Sequence, residues 1–183
     1  VKMEFKKIQL NGFKSFAEKT DLSIENGLTG IVGPNGCGKS NIVESLRWCM
    51  GETSAKSMRG SGMEDVIFSG TSNKPSKNIA EVTLNLINDS LEDVGQYSGT
   101  KNIEIKRKIE KDKGSKFSIN GKEVRAKDAQ MFFADLSTGA HSPSLISQGR
   151  IGSLVTAKPN DRRAILEEAA GISGLHARRH EAE

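Results

Sequence analysis

The stretch at residues 33–40 constrains this chain more than any other, and it reads Gly-Pro-Asn-Gly-Cys-Gly-Lys-Ser. It fits the pattern G-x-x-x-x-G-K-[ST], whose glycines let successive backbone N–H groups turn inward around an anion. The apolar run at 28–32 predicts a buried strand ahead of it, and apolar side chains at helical spacing over 41–50 predict a helix behind it. Strand, glycine loop and helix is the arrangement that binds a nucleoside triphosphate.

Each part of this stretch has a physical role in binding ATP and Mg²⁺. Lys39 reaches the β- and γ-phosphates as a point charge, and Ser40 offers its hydroxyl to the Mg²⁺ ion. The start of the helix adds unpaired N–H donors and the positive end of the helix dipole. We therefore expect the whole loop to contact the nucleotide: Gly33, Pro34, Asn35, Gly36, Cys37, Gly38, Lys39 and Ser40.

Composition bounds the class of protein. The 183 residues suffice for one well-packed domain, and a net charge of +4 is compatible with nucleic acid without requiring it. The two cysteines, Cys37 and Cys49, have no zinc-site spacing, and a disulfide within the phosphate loop is disfavoured. Reduced thiols predict a cytoplasmic protein. No apolar run approaches the roughly 18 residues of a membrane span, so no membrane partner is expected.

The remaining pattern predicts an antiparallel β lobe. Alternating apolar residues predict strands over 3–10, 20–24, 79–87 and 103–109. Asn120-Gly121 predicts a hairpin between 117–119 and 122–124. Residues 126–136 suit a helix with Ala129, Met131, Phe132 and Phe133 on its apolar side. From Asp161 the apolar spacing becomes helical again. The predicted organisation is one lobe over 1–160 and a helix over 161–183.

The acids that ATP hydrolysis needs are not evident in the chain. Such sites use a carboxylate at a strand end for Mg²⁺ and another group to orient water. The run 131–135 ends in Asp135, but it reads better as a helix and Leu136 follows where a glutamate would be wanted, so Asp135 is assigned to the surface or to a helix cap. Residues 136–139, Leu-Ser-Thr-Gly, match the ABC signature only superficially.

Six blocks in order give the sequence a close resemblance to one family. The blocks lie at 12–16, 33–41, 58–60, 63–70, 146–149 and 167–172, and they read GFKSF, GPNGCGKSN, MRG, MEDVIFSG, ISQG and EEAAGI. They resemble the N-terminal head segment of bacterial SMC (structural maintenance of chromosomes) proteins, the ABC-type ATPases that organise chromosomes. The resemblance covers nearly the whole chain.

That resemblance implies an architecture, a function and a set of partners. The fold is expected to be the α/β P-loop fold of an ABC-type ATPase head, with a mixed sheet, an antiparallel β lobe and the start of a coiled coil. A C-terminal segment of the same protein would complete the head and supply the missing acids and signature motif. The other implied partners are a second head, a kleisin-type subunit and DNA, in a nucleoid-associated machine for chromosome condensation and segregation.

The resemblance also carries site residues. Asn41 matches a contact to the α-phosphate, and Gln148 matches a glutamine whose amide oxygen reaches Mg²⁺ and senses the γ-phosphate. Lys14 matches a basic residue near the phosphates, although a solvated lysine at a strand end is equally compatible with the sequence. Arg59 matches an arginine that reaches the phosphates from a neighbouring loop, where a lone arginine is more often solvated. With Lys39, Arg59 and Gln148 form the expected catalytic set.

A basic cluster at 106–116 predicts contact with DNA phosphates. The predicted contacts are Lys106, Arg107, Lys108, Lys111 and Lys113, with Lys116 nearby. Nearby acids dilute the charge, and lysines on a solvated sheet edge also prevent unwanted strand pairing. Both interpretations stay open, and no element for sequence-specific reading is apparent.

The sequence leaves two rival functions open. The first is the head of a related recombination-repair ABC ATPase, which the GFKSF and EEAAGI blocks disfavour. The second is a free-standing nucleotide-binding module or small-molecule kinase, which would need its own acids and an acceptor pocket. ATP turnover by this chain alone would favour the second.

Overall fold

The computed structural model describes residues 3–25, 30, 32–34, 38–51, 62–88, 97, 99–135 and 159–160. Its strands are β1 Met3–Asn11, β2 Thr20–Ser23, β3 Ile79–Asn88, β4 Asn102–Glu110, β5 Gly114–Ile119 and β6 Lys122–Val124. Its helices are α1 Lys39–Cys49 and α2 Ala126–Asp135, with a 3-10 helix at Met63–Val66. All the strands and both helices of this part of the chain fall on segments that the sequence predicted for them.

The six strands named above form one antiparallel sheet with the order β2-β1-β3-β4-β5-β6. Leu84 in the centre of β3 lies between Ile8 of β1 and Ile105 of β4, and all three are buried. Because side chains alternate across a strand, this register places the apolar set of each strand on one face. The predicted antiparallel lobe is confirmed within the described residues.

The Asn-Gly hairpin is also confirmed. Asn120 and Gly121 join β5 to β6 with φ values of 50° and 80°. A two-residue turn with positive φ at both positions matches the right-handed twist of the flanking strands. Asn120 further accepts a hydrogen bond at Oδ1 from the backbone N–H of Glu104, 2.8 Å away, so the turn also contacts β4.

Helix α1 packs its last turn against the sheet. Trp48 and Cys49 are fully buried, and Met50 just beyond the helix is 2% exposed. The Cys49 thiol lies 3.6 Å from the carbonyl oxygen of Val82. Leu46 is buried one turn earlier. The predicted helix is therefore confirmed, although its contact with the core is concentrated at its C-terminal end, where the sheet lies.

Two expectations about burial need correction. Val32 is not in a strand and is 92% exposed, because no strand of the described part of the chain pairs with it. Met131 was expected on the apolar side of α2 but is 53% exposed, whereas Phe132 and Phe133 are buried. By contrast, Asp135 is the last residue of α2, so the run before it is helical as expected. The helix predicted from 161 lies outside the described residues.

Candidate functional site

Within the phosphate-loop stretch, Gly38 is the residue whose backbone fixes the start of α1. Gly38 has a φ of 92°, in the left-handed region, and directly precedes the helix. A Cβ at this position would lie 2.8 Å from Ser15 Oγ and 3.3 Å from the ring of Phe16. Both the conformation and the space therefore require glycine.

Lys39 joins the two described ends of the phosphate-loop stretch. Its Nζ donates a hydrogen bond to the carbonyl oxygen of Gly33, the first residue of the stretch. Ser40 follows in the first turn of α1, and that turn carries no acidic side chain. A cation beside Gly33 and a helix N-terminus without a nearby acidic side chain together favour an anion here.

A turn at residues 12–16 lies along α1. The Nδ2 of Asn41 donates to Ser15 Oγ over 2.9 Å, and the ring of Phe13 lies 5.4 Å from the ring of Trp48. Between these contacts, Lys14 Nζ lies 2.6 Å from Glu44 Oε2, with the side chains 13% and 8% exposed. The turn therefore contacts both ends and the middle of the helix.

Lys14 and Asn41 contact protein side chains in this structure, and their expected contacts with phosphate stay predictions. Lys14 has a φ of 46° and its backbone N–H donates to the carbonyl oxygen of Val66, 2.6 Å away, while its side chain contacts Glu44. Sequence reasoning missed Glu44, a carboxylate that is 6% exposed. No spacing rule relates residues 14 and 44, so only the fold brings them together.

Other predicted site residues lie outside the described residues: Asn35, Gly36, Cys37, Arg59 and Gln148. Their roles, and the pairing of Ser40 with Gln148 at Mg²⁺, stay predictions. Within the described ranges, no three His, Cys, Asp or Glu side chains are grouped as a metal site. That finding is compatible with the predicted Mg²⁺ site, which uses a serine hydroxyl and an amide oxygen.

The basic cluster divides between the two faces of β4. Lys106 and Lys108 point away from the core, where Lys106 Nζ lies 3.6 Å from Glu81 Oε1. Lys111 and Lys113 are exposed in the turn after β4, and Lys113 lies 2.8 Å from Glu110. That contact lowers the pKa of Glu110, because a hydrogen bond from an ammonium group favours the carboxylate.

Arg107 does not belong to that surface, and its prediction as a DNA contact is wrong for this structure. It is only 3% exposed because its position on the strand faces the core. Its guanidinium carbon lies 4.6 Å from the ring centroids of both Trp48 and Phe117. Its Nη1 donates to the carbonyl oxygen of Trp48 over 2.8 Å, and its Nη2 donates to Ser115 Oγ over 3.2 Å.

The C-terminal end of α1 has a further contact from α2. Gln130 Nε2 donates to the carbonyl oxygen of Gly51 over 2.9 Å. Gly51 has a φ of 105°, and a Cβ there would lie 2.5 Å from Gln130 Cγ. The chain therefore leaves α1 in a backbone conformation that favours glycine, under a side chain of α2. Among the described helices, none is long and apolar enough to cross a membrane.

Comparisons with known proteins give a consistent family. Residues 4–149 match the family model described as RecF/RecN/SMC N terminal domain. The chain is 60% identical over 182 residues to the chromosome partition protein Smc of Cereibacter sphaeroides and 46% identical over 182 residues to that of Myxococcus xanthus. In both cases 99% of this chain is covered, but it spans only 16% and 15% of the relatives' lengths.

Solved structures agree with the sequence comparisons. A Pyrococcus furiosus Smc head domain with an extended coiled coil, bound to the C-terminal domain of ScpA, is 28% identical with a TM-score of 0.77, covering 99% of this chain and 45% of that chain. The SMC head domain from Thermotoga maritima is 32% identical with a TM-score of 0.66, covering 85% and 51%. A third, from a study of ATP-driven dimerization and DNA stimulated activation of SMC ATPases, is 29% identical with a TM-score of 0.70, covering 90% and 98%. The chain therefore belongs to the RecF/RecN/SMC N-terminal domain family, as the N-terminal head segment of a bacterial SMC protein with the P-loop fold of ABC-type ATPase heads.

Proposed function

We propose that this chain is the ATP-binding half of an SMC head, which binds ATP and Mg²⁺ and drives engagement of two heads. The observation that carries the proposal is the joint placement of Gly33, Gly38 and Lys39 at the start of α1. The left-handed Gly38 directly precedes the helix N-terminus, and the ammonium group of Lys39 contacts Gly33, the first residue of the phosphate-loop stretch. Both features supply positive charge where a triphosphate would lie.

Binding and hydrolysis are then divided between two segments of one protein. Lys39 holds the β- and γ-phosphates, and Ser40 supplies a hydroxyl to the Mg²⁺ that neutralises them. Asn41, Lys14, Arg59 and Gln148 complete the set as further contacts to phosphate or metal. When bound, the ion would supply charge stabilisation for phosphoryl transfer, and a C-terminal head segment would supply the carboxylates that hold it and orient water.

Exposed apolar surface beside the loop supports the need for that second segment. Val32 is 92% exposed one residue before Gly33. Ile42 and Val43 in the first turns of α1 are only partly buried. Apolar side chains next to an anion site are an unfavourable surface in water, and burial by a further strand layer would stabilise them.

The proposal also covers the partners of the head and its location in the cell. The Pyrococcus furiosus relative was solved with the C-terminal domain of ScpA, which supports a kleisin-type subunit as a partner here. The Thermotoga maritima and Cereibacter sphaeroides relatives support an SMC rather than a recombination-repair ATPase. We place the protein in the cytoplasm on the nucleoid, acting in chromosome condensation and segregation.

The test of ATP binding is Lys39→Ala in the assembled head, meaning this segment together with its C-terminal segment and coiled coil. The substitution removes the charge that holds the β- and γ-phosphates, so we expect ATP binding to fall below detection in an equilibrium titration with Mg²⁺. Lys101→Ala removes an exposed lysine before β4 and is the matched control. Undiminished binding by Lys39→Ala would refute the assignment.

DNA contact is proposed for the outer face of β4 and the turn after it, with Lys106, Lys108, Lys111 and Lys113 as the contacts. Charge reversal of Lys106 and Lys108 should weaken binding of duplex DNA most strongly at low salt. For each DNA phosphate that a lysine no longer neutralises, the slope of log affinity against log salt should become shallower by about 0.9. An unchanged slope would leave these lysines as an ordinary solvated face.

A further inference from the structure

We infer that Arg107 is a positioning residue for the nucleotide site, a role that rests on the proposed ATP binding. By holding the C-terminal end of α1 against β4 and β5, it sets where the N-terminal end presents Lys39 and Ser40. Arg107 contacts no residue of the loop itself among the contacts described above. Its influence is exerted through the helix.

The guanidinium group of Arg107 is held by contacts with three residues, Trp48, Phe117 and Ser115. The rings of Trp48 and Phe117 each lie 4.6 Å from it, one from α1 and one from β5. In addition, Nη1 donates to the carbonyl oxygen of Trp48 and Nη2 donates to Ser115 Oγ. One planar group therefore joins the last turn of α1 to two adjacent strands.

Charge and hydrogen bonding make this junction specific for arginine. The last carbonyl groups of a helix have no partner within the helix, and a cation beside them is favoured by the helix dipole. Arg107 is only 3% exposed, so water could not replace a hydrogen bond that the guanidinium lost. A lysine would keep the charge but lose the planar stacking and the second directed donor.

Two paths connect the junction to the phosphate loop. The first is α1 itself, in which Trp48 lies nine positions after Lys39, or roughly 13.5 Å along the helix at about 1.5 Å per residue. The second passes from Trp48 to Phe13, with ring centroids 5.4 Å apart. Phe13 begins the turn whose Ser15 contacts Asn41 and closely approaches Gly38. A shift of Trp48 would therefore move the loop from both sides.

The experiment compares Arg107→Met and Arg107→Lys with wild type in the assembled head. ATP dissociation constants are measured by equilibrium titration well below each melting temperature, and thermal unfolding is followed in parallel. We expect about tenfold weaker ATP binding for Arg107→Met, the size of an ordinary coupling between separate sites. Arg107→Lys should rescue part of that loss, since it restores the charge without the fork.

The control must separate positioning from a general loss of stability. Ile109→Ala lies two residues along β4, also in the core, and has no described contact with Trp48. It should lower the melting temperature while ATP affinity stays at the wild-type value. The inference is overturned if Arg107→Met binds ATP as wild type does, or if Ile109→Ala loses as much affinity at equal stability loss. A wild-type head that binds no ATP refutes the proposed function itself, which distinguishes the two failures.

Discussion

The two ends of α1 differ in almost every physical property. At the N-terminal end the residues from Gly38 to Val43 are only partly buried, and Gly38 lies in the left-handed region. At the C-terminal end Trp48 is fully buried between the ring of Phe13 and the guanidinium of Arg107. One end offers polar groups to a ligand, and the other end supplies the packing that keeps the helix in place.

The contrast indicates how a binding loop can be stable without a core of its own. Backbone groups that must face an anion cannot also be covered by side chains, so the loop depends on structure elsewhere. Substitutions at the C-terminal end should therefore change stability first and ATP binding second. Substitutions at the N-terminal end should weaken ATP binding more than they lower stability.

The largest effect on stability is expected from Trp48→Ala. The substitution removes a fully buried ring that contacts both Phe13 and Arg107, and truncations of this kind cost about 3–5 kcal/mol of unfolding free energy. Trp48→Phe retains a ring beside Arg107 and should cost clearly less. Denaturant unfolding of the assembled head measures both, and a loss below about 1 kcal/mol for Trp48→Ala would contradict the packing account.

Gly38→Ala should change ATP binding more than it changes the fold. An alanine at this position would have to keep a φ of 92°. Its Cβ would also lie 2.8 Å from Ser15 Oγ, so the neighbouring atoms must shift. Strain of this kind costs about 1–3 kcal/mol. Gly99→Ala is the matched control, since Gly99 has a φ of 75° but no atom within 4 Å of the added Cβ. ATP titration should show weakened binding for Gly38→Ala and not for Gly99→Ala. Equal ATP affinities of the two variants would contradict the prediction.

A smaller, pH-dependent effect is expected from Cys49 at the buried end. Burial raises the pKa of its thiol from 9.0 to about 12. The unfolded chain therefore loses this proton above pH 9 while the folded chain retains it, which favours unfolding. The stabilisation is complete below pH 9 and declines as pH rises toward 12, by at most about 1.4 kcal/mol per pH unit.

Cys49→Ala removes that titration, so the comparison is between two pH profiles of unfolding free energy. The wild-type profile should fall more steeply than the variant profile above pH 9. Lysine titration contributes equally to both and cancels in the difference. Parallel profiles between pH 9 and 11 would contradict the burial of a neutral thiol at this position.

Much of the β lobe follows from the sequence because its signals are local. Alternating apolar residues indicated β1, β3 and β4, and Asn120-Gly121 indicated the last hairpin, since two-residue turns select those residues directly. The phosphate-loop pattern is also local, because its chemistry requires glycines at fixed spacing, and its contacts with a nucleotide stay a prediction. In each case the physical requirement lies within a few consecutive residues.

What the sequence did not indicate depends on contacts between distant segments. Lys106, Arg107 and Lys108 look equivalent as a basic run, yet strand alternation buries only the middle one. The pairing of Lys14 with Glu44 depends on a turn packing along a helix. The apolar run ending at Val32 looked like a buried strand, but burial of a strand depends on its neighbours in the sheet.

The most direct test of the central claim is a crystal structure of the assembled head with Mg²⁺ and a non-hydrolysable ATP analogue. We expect Lys39 Nζ to leave the carbonyl oxygen of Gly33 and contact the β- or γ-phosphate, with Ser40 Oγ on the metal ion. The contacts of Arg107 with Trp48 should be unchanged. A nucleotide bound elsewhere, or bound while Lys39 stays on Gly33, would contradict the account.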